Sequence, residues 1–147
     1  TGLVGSEMCI RDRLCPICQD YTYFLNALHD QWTATEAPVD IVGVFPEGSA
    51  SQDDIERFAA TYGVNWPLQL DEEGWVDDLH ASWTPEVFVL DSVGRVHYRG
   101  RVNDLYVSLG KHRPKPKRHD LRNAVADLLS GRAPRDSVTQ AIGCPIE

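Results

Sequence analysis

Hydrophobic positions change period several times along the chain, and each change marks an element. From Pro16 to about Thr35, Ile17, Tyr21, Phe24, Leu25, Leu28 and Trp32 recur at spacings of three and four, which predicts an amphipathic helix. Val39, Ile41, Val42, Val44 and Phe45 then form a β-branched run that reads as a buried strand, closed by Pro46-Glu47-Gly48. Ser51 followed by Asp54 opens a second helix. Its apolar face is Ile55, Phe58, Ala59 and Tyr62, and Gly63 stops it. A short extended segment covers Trp66 to Leu70, and a turn with a short helix covers about Gly74 to Ala81. The stretch "TPEVFVLDSVGRVHYRG" reads as a hairpin. Its strands are Val87 to Leu90 and Arg95 to Gly100, its turn is Asp91-Ser92-Val93-Gly94, and Val96 and Tyr98 share a face. Leu121, Val125, Leu128 and Leu129 make a last helix ended by Gly131, and residues 132–147 read as an irregular tail. No internal repeat is visible.

A strand, a crossover helix and a second strand favour parallel pairing, and the hairpin adds antiparallel strands, so the pattern predicts an α/β domain with a mixed sheet. At 147 residues the chain suits one domain with one core. Fourteen Lys and Arg against 22 Asp and Glu give a net charge of −8, which argues against a general nucleic-acid binder. No apolar run approaches the length of about 18 residues that spans a membrane.

The N-terminal stretch "TGLVGSEMCIRDR" shows neither period. Its "SEMCIRD" resembles translated sequencing-adapter sequence. The expectation is that residues 1–13 are a non-native or disordered segment, with a flexible native arm as the alternative. Cys9, within it, is given no role. The domain is expected over 14–131, followed by the tail at 132–147.

Chemistry concentrates in Cys15-Pro16-Ile17-Cys18, two of the four cysteines, at the start of the first helix. A CxxC beside a strand–helix–strand pattern reads as a redox site. A structural or zinc-bound pair is the alternative, but zinc needs two further ligands, and no second CxxC or HxxxH exists. No metal and no cofactor is expected. Disulfide exchange needs an attacking thiolate and a resolving thiol. A free thiol has a pKa near about 8.5, and a helix N-terminus favours the anion. With Cys15 at the N-cap, Pro16 falls at the first helical position, where its missing N–H costs nothing, and Cys18 falls one turn inward. Cys15 is therefore the expected nucleophile and Cys18 the resolving thiol.

"CPIC" opening a helix, the stretch "VDIVGVFPEGSASQDDIERFAATYGVNWPLQLDEEG" and the distant "TPEVFVLDSVGRVHYRG" together resemble the redoxin branch of the thioredoxin-like superfamily. That branch includes exported thiol–disulfide oxidoreductases of the cytochrome-maturation type and the alkyl-hydroperoxide-reductase/thiol-specific-antioxidant proteins. The resemblance covers about residues 14–131. It implies a three-layer α/β/α thioredoxin-like fold, and because no strand pattern precedes Cys15 the N-terminal strand or strands are expected to be missing. It implies a cis-proline at Pro85, with Thr84 offering its backbone to a substrate peptide in a strand-like contact beside Pro16 and the cysteines. It aligns Glu47 with an acidic residue that assists proton transfer at the cysteines. The activity implied is thiol–disulfide exchange with protein substrates, by a monomer outside the cytoplasm, periplasmic or membrane-anchored.

Two other functions stay open. A thiol peroxidase would need a Thr or Ser three residues before its cysteine, where this chain has Asp12 before Cys15 and Cys15 before Cys18. Arg95, Arg99 and Arg101 offer guanidinium groups for such a site, against the plainer expectation that they sit on the solvent face of the hairpin. The third reading is a non-catalytic redoxin module of a larger protein. Copper delivery is disfavoured because the spacing is one residue short of CxxxC, and His80, His97, His112 and His119 read as surface residues. The basic, proline-interrupted stretch "KHRPKPKRH" at 111–119 is expected near the active face, where Lys111, Arg113, Lys115, Lys117 and Arg118 would attract an acidic partner. Cys144 is read either as a thiol that exchanges with the CxxC or locks the tail, or as a tail thiol without a role.

Overall fold

The computed structural model describes residues 2–7, 16–46 and 50–145, with backbone alone at 2–7, 16, 144 and 145. Its centre is a five-stranded mixed sheet in the order β3-β2-β1-β5-β6. The strands are β1 (Gly2–Glu7), β2 (Val39–Phe45), β3 (Leu68–Leu70), β5 (Glu86–Asp91) and β6 (Val96–Gly100). Strand β1 runs parallel to β2 and antiparallel to β5, and β5 pairs antiparallel with β6. The long helix α1 (Pro16–Ala34) links β1 to β2, and α2 (Gln52–Tyr62) links β2 to β3. The short α3 (Trp75–Asp78) precedes β4 (Trp83–Thr84), and α4 (Asp120–Leu129) follows the hairpin. A two-residue pair joins β7 (Tyr106–Ser108) and β8 (Lys111–His112), and another joins β4 and β9 (Cys144–Pro145).

Local chemistry explains the boundaries. Ser51 and Asp54 form a reciprocal capping box on α2, and Gly63 closes that helix in the left-handed region at φ 65°. The hairpin turn is held by Asp91, whose Oδ1 accepts from the Val93 and Arg95 backbone N–H groups at 3.0 and 2.9 Å. Its Oδ2 lies 2.8 Å from His97 Nε2. These contacts, the His97 one foremost, hold the Asp91 carboxyl down at about 2.

The two faces of the sheet carry different loads. Ile41, Phe45, Val87, Val89 and Tyr98 face a single core built with Ile17, Tyr21 and Leu25 of α1, Ile55 and Phe58 of α2, and Leu121, Ala124 and Val125 of α4. On the opposite face, Phe88 is buried beneath the Arg99 guanidinium, 5.1 Å from its ring. Arg99 reaches from there to the carbonyls of Leu79 and His80, just past α3, at 3.2 Å each. The result is three layers: α1, α2 and α4 on one side, the sheet, and α3 on the other.

Two segments differ from the expectation. Gly2–Glu7, read as lacking an element, is the middle strand of the sheet, with six residues paired on each side. A central strand is held by backbone ladders on both edges, so its sequence need not alternate. The tail, read as irregular, docks instead. Arg99 N–H donates to the Ser137 carbonyl and Thr139 N–H to the Arg99 carbonyl, both at 3.0 Å, so Val138 bridges to the outer edge of β6. Ala141 is buried, and the tail ends in β9 against β4.

Candidate active site

Several connections meet at one end of the sheet. Glu7, at the end of β1, lies opposite Val44 of β2 and Glu86 of β5, and Val87 lies opposite Gly100 of β6. The chain therefore leaves β1, β2 and β6 and enters β5 at the same rim. The first turns of α1 reach this rim too. Tyr21 donates its hydroxyl proton to the Asn103 carbonyl at 3.0 Å and accepts from the Tyr106 backbone N–H at 3.3 Å. The Tyr106 hydroxyl in turn donates to Asp20 Oδ2 at 2.5 Å. Burial pushes the Tyr21 phenol up to about 12, so it stays a neutral strut at any ordinary pH.

Within this frame, α1 begins at Pro16, the residue after Cys15. Cys18 sits in the first helical turn, 1% exposed, with its carbonyl accepting from the Thr22 hydroxyl at 2.6 Å. Thr84 and Pro85 are buried, and the peptide bond between them is cis. They immediately precede β5 and so stand at the same end as the start of α1. Cys15, Glu47 and Cys9 lie outside the described residues.

Sequence reasoning passed over the residue after Pro85. Glu86 is 5% exposed, and its carboxylate accepts from the Ser82 backbone N–H at 3.0 Å and from Arg99 Nη2 at 3.3 Å. These bonds clasp both ends of the Ser82–Glu86 segment that carries Thr84 and Pro85. Arg99 and Arg101 correct the solvent-face expectation. Arg101 Nε donates to the buried Asp120 Oδ2 at 2.7 Å, and only Arg95, with its side chain 80% exposed beside Asp91, lies on the surface as expected. Buried carboxylates at positions 86 and 120 need cationic partners, and the inward turn of the two arginines supplies them.

The segment that leads into the basic stretch leaves β6 at this same rim. Asp104 accepts from the Lys117 and Arg118 backbone N–H groups at 2.7 and 2.8 Å, folding the loop back on itself. Burial opposes ionisation of Asp104, but these two N–H bonds and the nearby Arg113 guanidinium outweigh it, leaving its carboxyl below the usual range. Arg113 lies 3.5 Å from Asp104 and Arg118 lies 3.0 Å from Asp136, so the charge of both arginines is matched within the fold. Lys111, Lys115 and Lys117 are exposed. His80 and His112 are exposed as expected, whereas His97 and His119 are half-buried. Among the described residues, no helix is long and apolar enough to cross a membrane.

No family model and no curated protein matches the chain. Solved structures do. An uncharacterized conserved protein of Geobacillus kaustophilus superposes with a TM-score of 0.82 at 22% identity, over 99% of this chain and 76% of that one. A thioredoxin-like protein solved in its oxidized form gives 0.63 at 15% identity, over 90% and 80%. The fold is thioredoxin-like. A thiol:disulfide interchange protein of the thioredoxin family from Chlorobium tepidum agrees, with a TM-score of 0.58 at 12% identity over 88% and 79%. Within this thioredoxin-like frame, the helix that starts after Cys15 and the cis bond before β5 stand at one end of the sheet.

Proposed function

We propose that the chain is a thiol–disulfide oxidoreductase that exchanges disulfides with protein substrates through Cys15 and Cys18. The observation that carries the reading is the start of α1. The helix opens directly after Cys15, encloses Cys18 in its first turn, and lies at the sheet end where Pro85 leads into β5. Unpaired N–H groups and the positive end of the helix dipole favour a thiolate at that place. Burial of Cys18 divides the labour, because a thiol 1% exposed does not meet an incoming protein first.

In the reductive direction, the Cys15 thiolate attacks one sulfur of a substrate disulfide. A bond forms between Cys15 and that sulfur, and the other substrate sulfur leaves as a thiolate. The Cys18 thiolate then attacks Cys15 Sγ, closing the Cys15–Cys18 bridge and releasing the second substrate thiol. Two electrons pass to the substrate, and the reverse sequence oxidises it. Glu47 takes the proton released when a cysteine ionises, and Thr84 presents its backbone to the substrate segment. The site of action is extracytoplasmic.

Insulin reduction with dithiothreitol as electron source tests the reading. The wild-type chain accelerates precipitation, Cys15→Ser abolishes the effect, and Cys18→Ser accumulates a mixed disulfide with the substrate. Full activity in Cys15→Ser, or failure of Cys15 and Cys18 to bridge under oxidant, defeats it. Hydroperoxide consumption that survives Cys18→Ser would favour the peroxidase instead.

A further inference from the structure

The edge of β4 beside Pro85 is already occupied. Cys144 of β9 lies opposite Thr84 and Pro145 opposite Trp83, in antiparallel register. Their approach is close enough that a Cβ on Gly143 would lie 2.3 Å from the Thr84 carbonyl oxygen and 2.7 Å from its carbon. Glycine is the residue that lets the tail reach this edge. Upstream, the tail is fixed more firmly. Thr139 bonds the Arg99 carbonyl through its N–H, and its hydroxyl accepts from the Arg101 N–H at 3.0 Å and meets the Tyr98 hydroxyl at 2.6 Å. Beyond Ala141 the pairing amounts to two residues, a ladder too short to hold by itself.

We propose that residues 143–145 are a built-in pseudo-substrate that competes with an incoming cysteine-bearing segment for the Thr84 edge. The inference rests on the thiol–disulfide reading for the identity of that segment. Three observations join in it. The occupied edge is the backbone next to Pro85. The tail puts a cysteine at the register position opposite Thr84, the residue type a substrate of such a site must present. The anchor at Ser137–Thr139 keeps the released end tethered nearby at high effective concentration. The device selects for partners able to outcompete a tethered strand, and it shields the site from casual thiols.

The test uses a labelled seven-residue peptide copying 141–147 with serine in place of its cysteine. Having no thiol, it reads docking apart from redox chemistry. In fluorescence anisotropy, full-length Gly143→Val, folded by circular dichroism, binds this peptide at least about ten-fold more tightly than the wild type, because the competing occupant is lost. Equal affinities, or no saturable binding to the folded variant, overturn the proposal. Should the variant not fold, the wild type decides by amide NMR. Excess peptide moves the amide signals of Gly143 and Cys144 to random-coil positions while those of 137–139 stay, and signals of Gly143 and Cys144 that stay in place overturn it. A chain that binds the peptide yet reduces no disulfide keeps the docking edge and loses the redox reading. Insulin reduction without peptide binding does the reverse.

Discussion

Arg101→Ala should destabilise the protein more than Asp120→Ala, although both remove the same ion pair. Asp120 sits in the first turn of α4 with its side chain 2% exposed, whereas that of Arg101 is 23% exposed. Removing the arginine strands a buried carboxylate, a loss on the order of 3–5 kcal/mol for a broken buried pair. The Arg118 Nε, 3.8 Å from Asp120 Oδ1, remains as a partial substitute, so the low end, about 3 kcal/mol, is expected. Removing the aspartate leaves a guanidinium that can turn towards water, at a cost of about 1.5 kcal/mol for one charge-assisted hydrogen bond. The double variant should lose about 3 kcal/mol rather than the sum, a coupling of about 1.5 kcal/mol. Urea unfolding followed by circular dichroism measures all four corners. With an m-value of about 2 kcal/mol/M, the Arg101→Ala midpoint falls by about 1.5 M. The reasoning is refuted if Arg101→Ala stays within about 0.5 kcal/mol of wild type, if Asp120→Ala costs more, or if the two losses simply add.

Ser51→Ala removes the side-chain half of the capping box on α2 and should cost about 1 kcal/mol, read as a lower urea midpoint at unchanged m. Tyr106→Phe deletes the hydroxyl donated to Asp20 and should cost about 1 kcal/mol in the same assay while the fold persists by circular dichroism. Asp104 and Asp91 both ionise more readily folded than unfolded, so between their depressed folded values and the unfolded value near about 3.9 the unfolded chain binds more protons. Their stabilisation is therefore present above about pH 4 and lost as the pH falls below it. Melting temperatures from pH 7 to pH 2 should drop along a shallower acid limb in Asp104→Asn, and parallel limbs would contradict this.

Much of the architecture was legible because apolar periodicity and caps are local. The face from Ile17 to Trp32, the Ser51–Asp54 signal and the Asp91–Gly94 turn each lie within a few residues of what they specify. The cysteine pair stood out by its spacing at a helix start, whereas Thr84–Pro85 was singled out through the family resemblance and not by any local pattern. What escaped was held by partners distant in sequence. Glu86 is explained by Arg99 across the hairpin, and Asp120 by Arg101, a pair that exists only once the hairpin has met α4. The strand at β1 and the tail escaped for a different reason. Both are positioned by backbone ladders and close approaches, at Gly143 against Thr84 for example, which leave no alternation to read.

The midline place of β1 makes six N-terminal residues the seam between two unlike halves of the sheet. On one side lie the parallel strands wrapped by α1 and α2, and on the other the antiparallel hairpin that carries Pro85. Without that seam, β2 and β5 would each present a raw ladder to solvent, inviting the same segment from another copy to insert. A version of the chain trimmed by its first eight residues should thus gather into oligomers that the missing hexapeptide, added back, disperses.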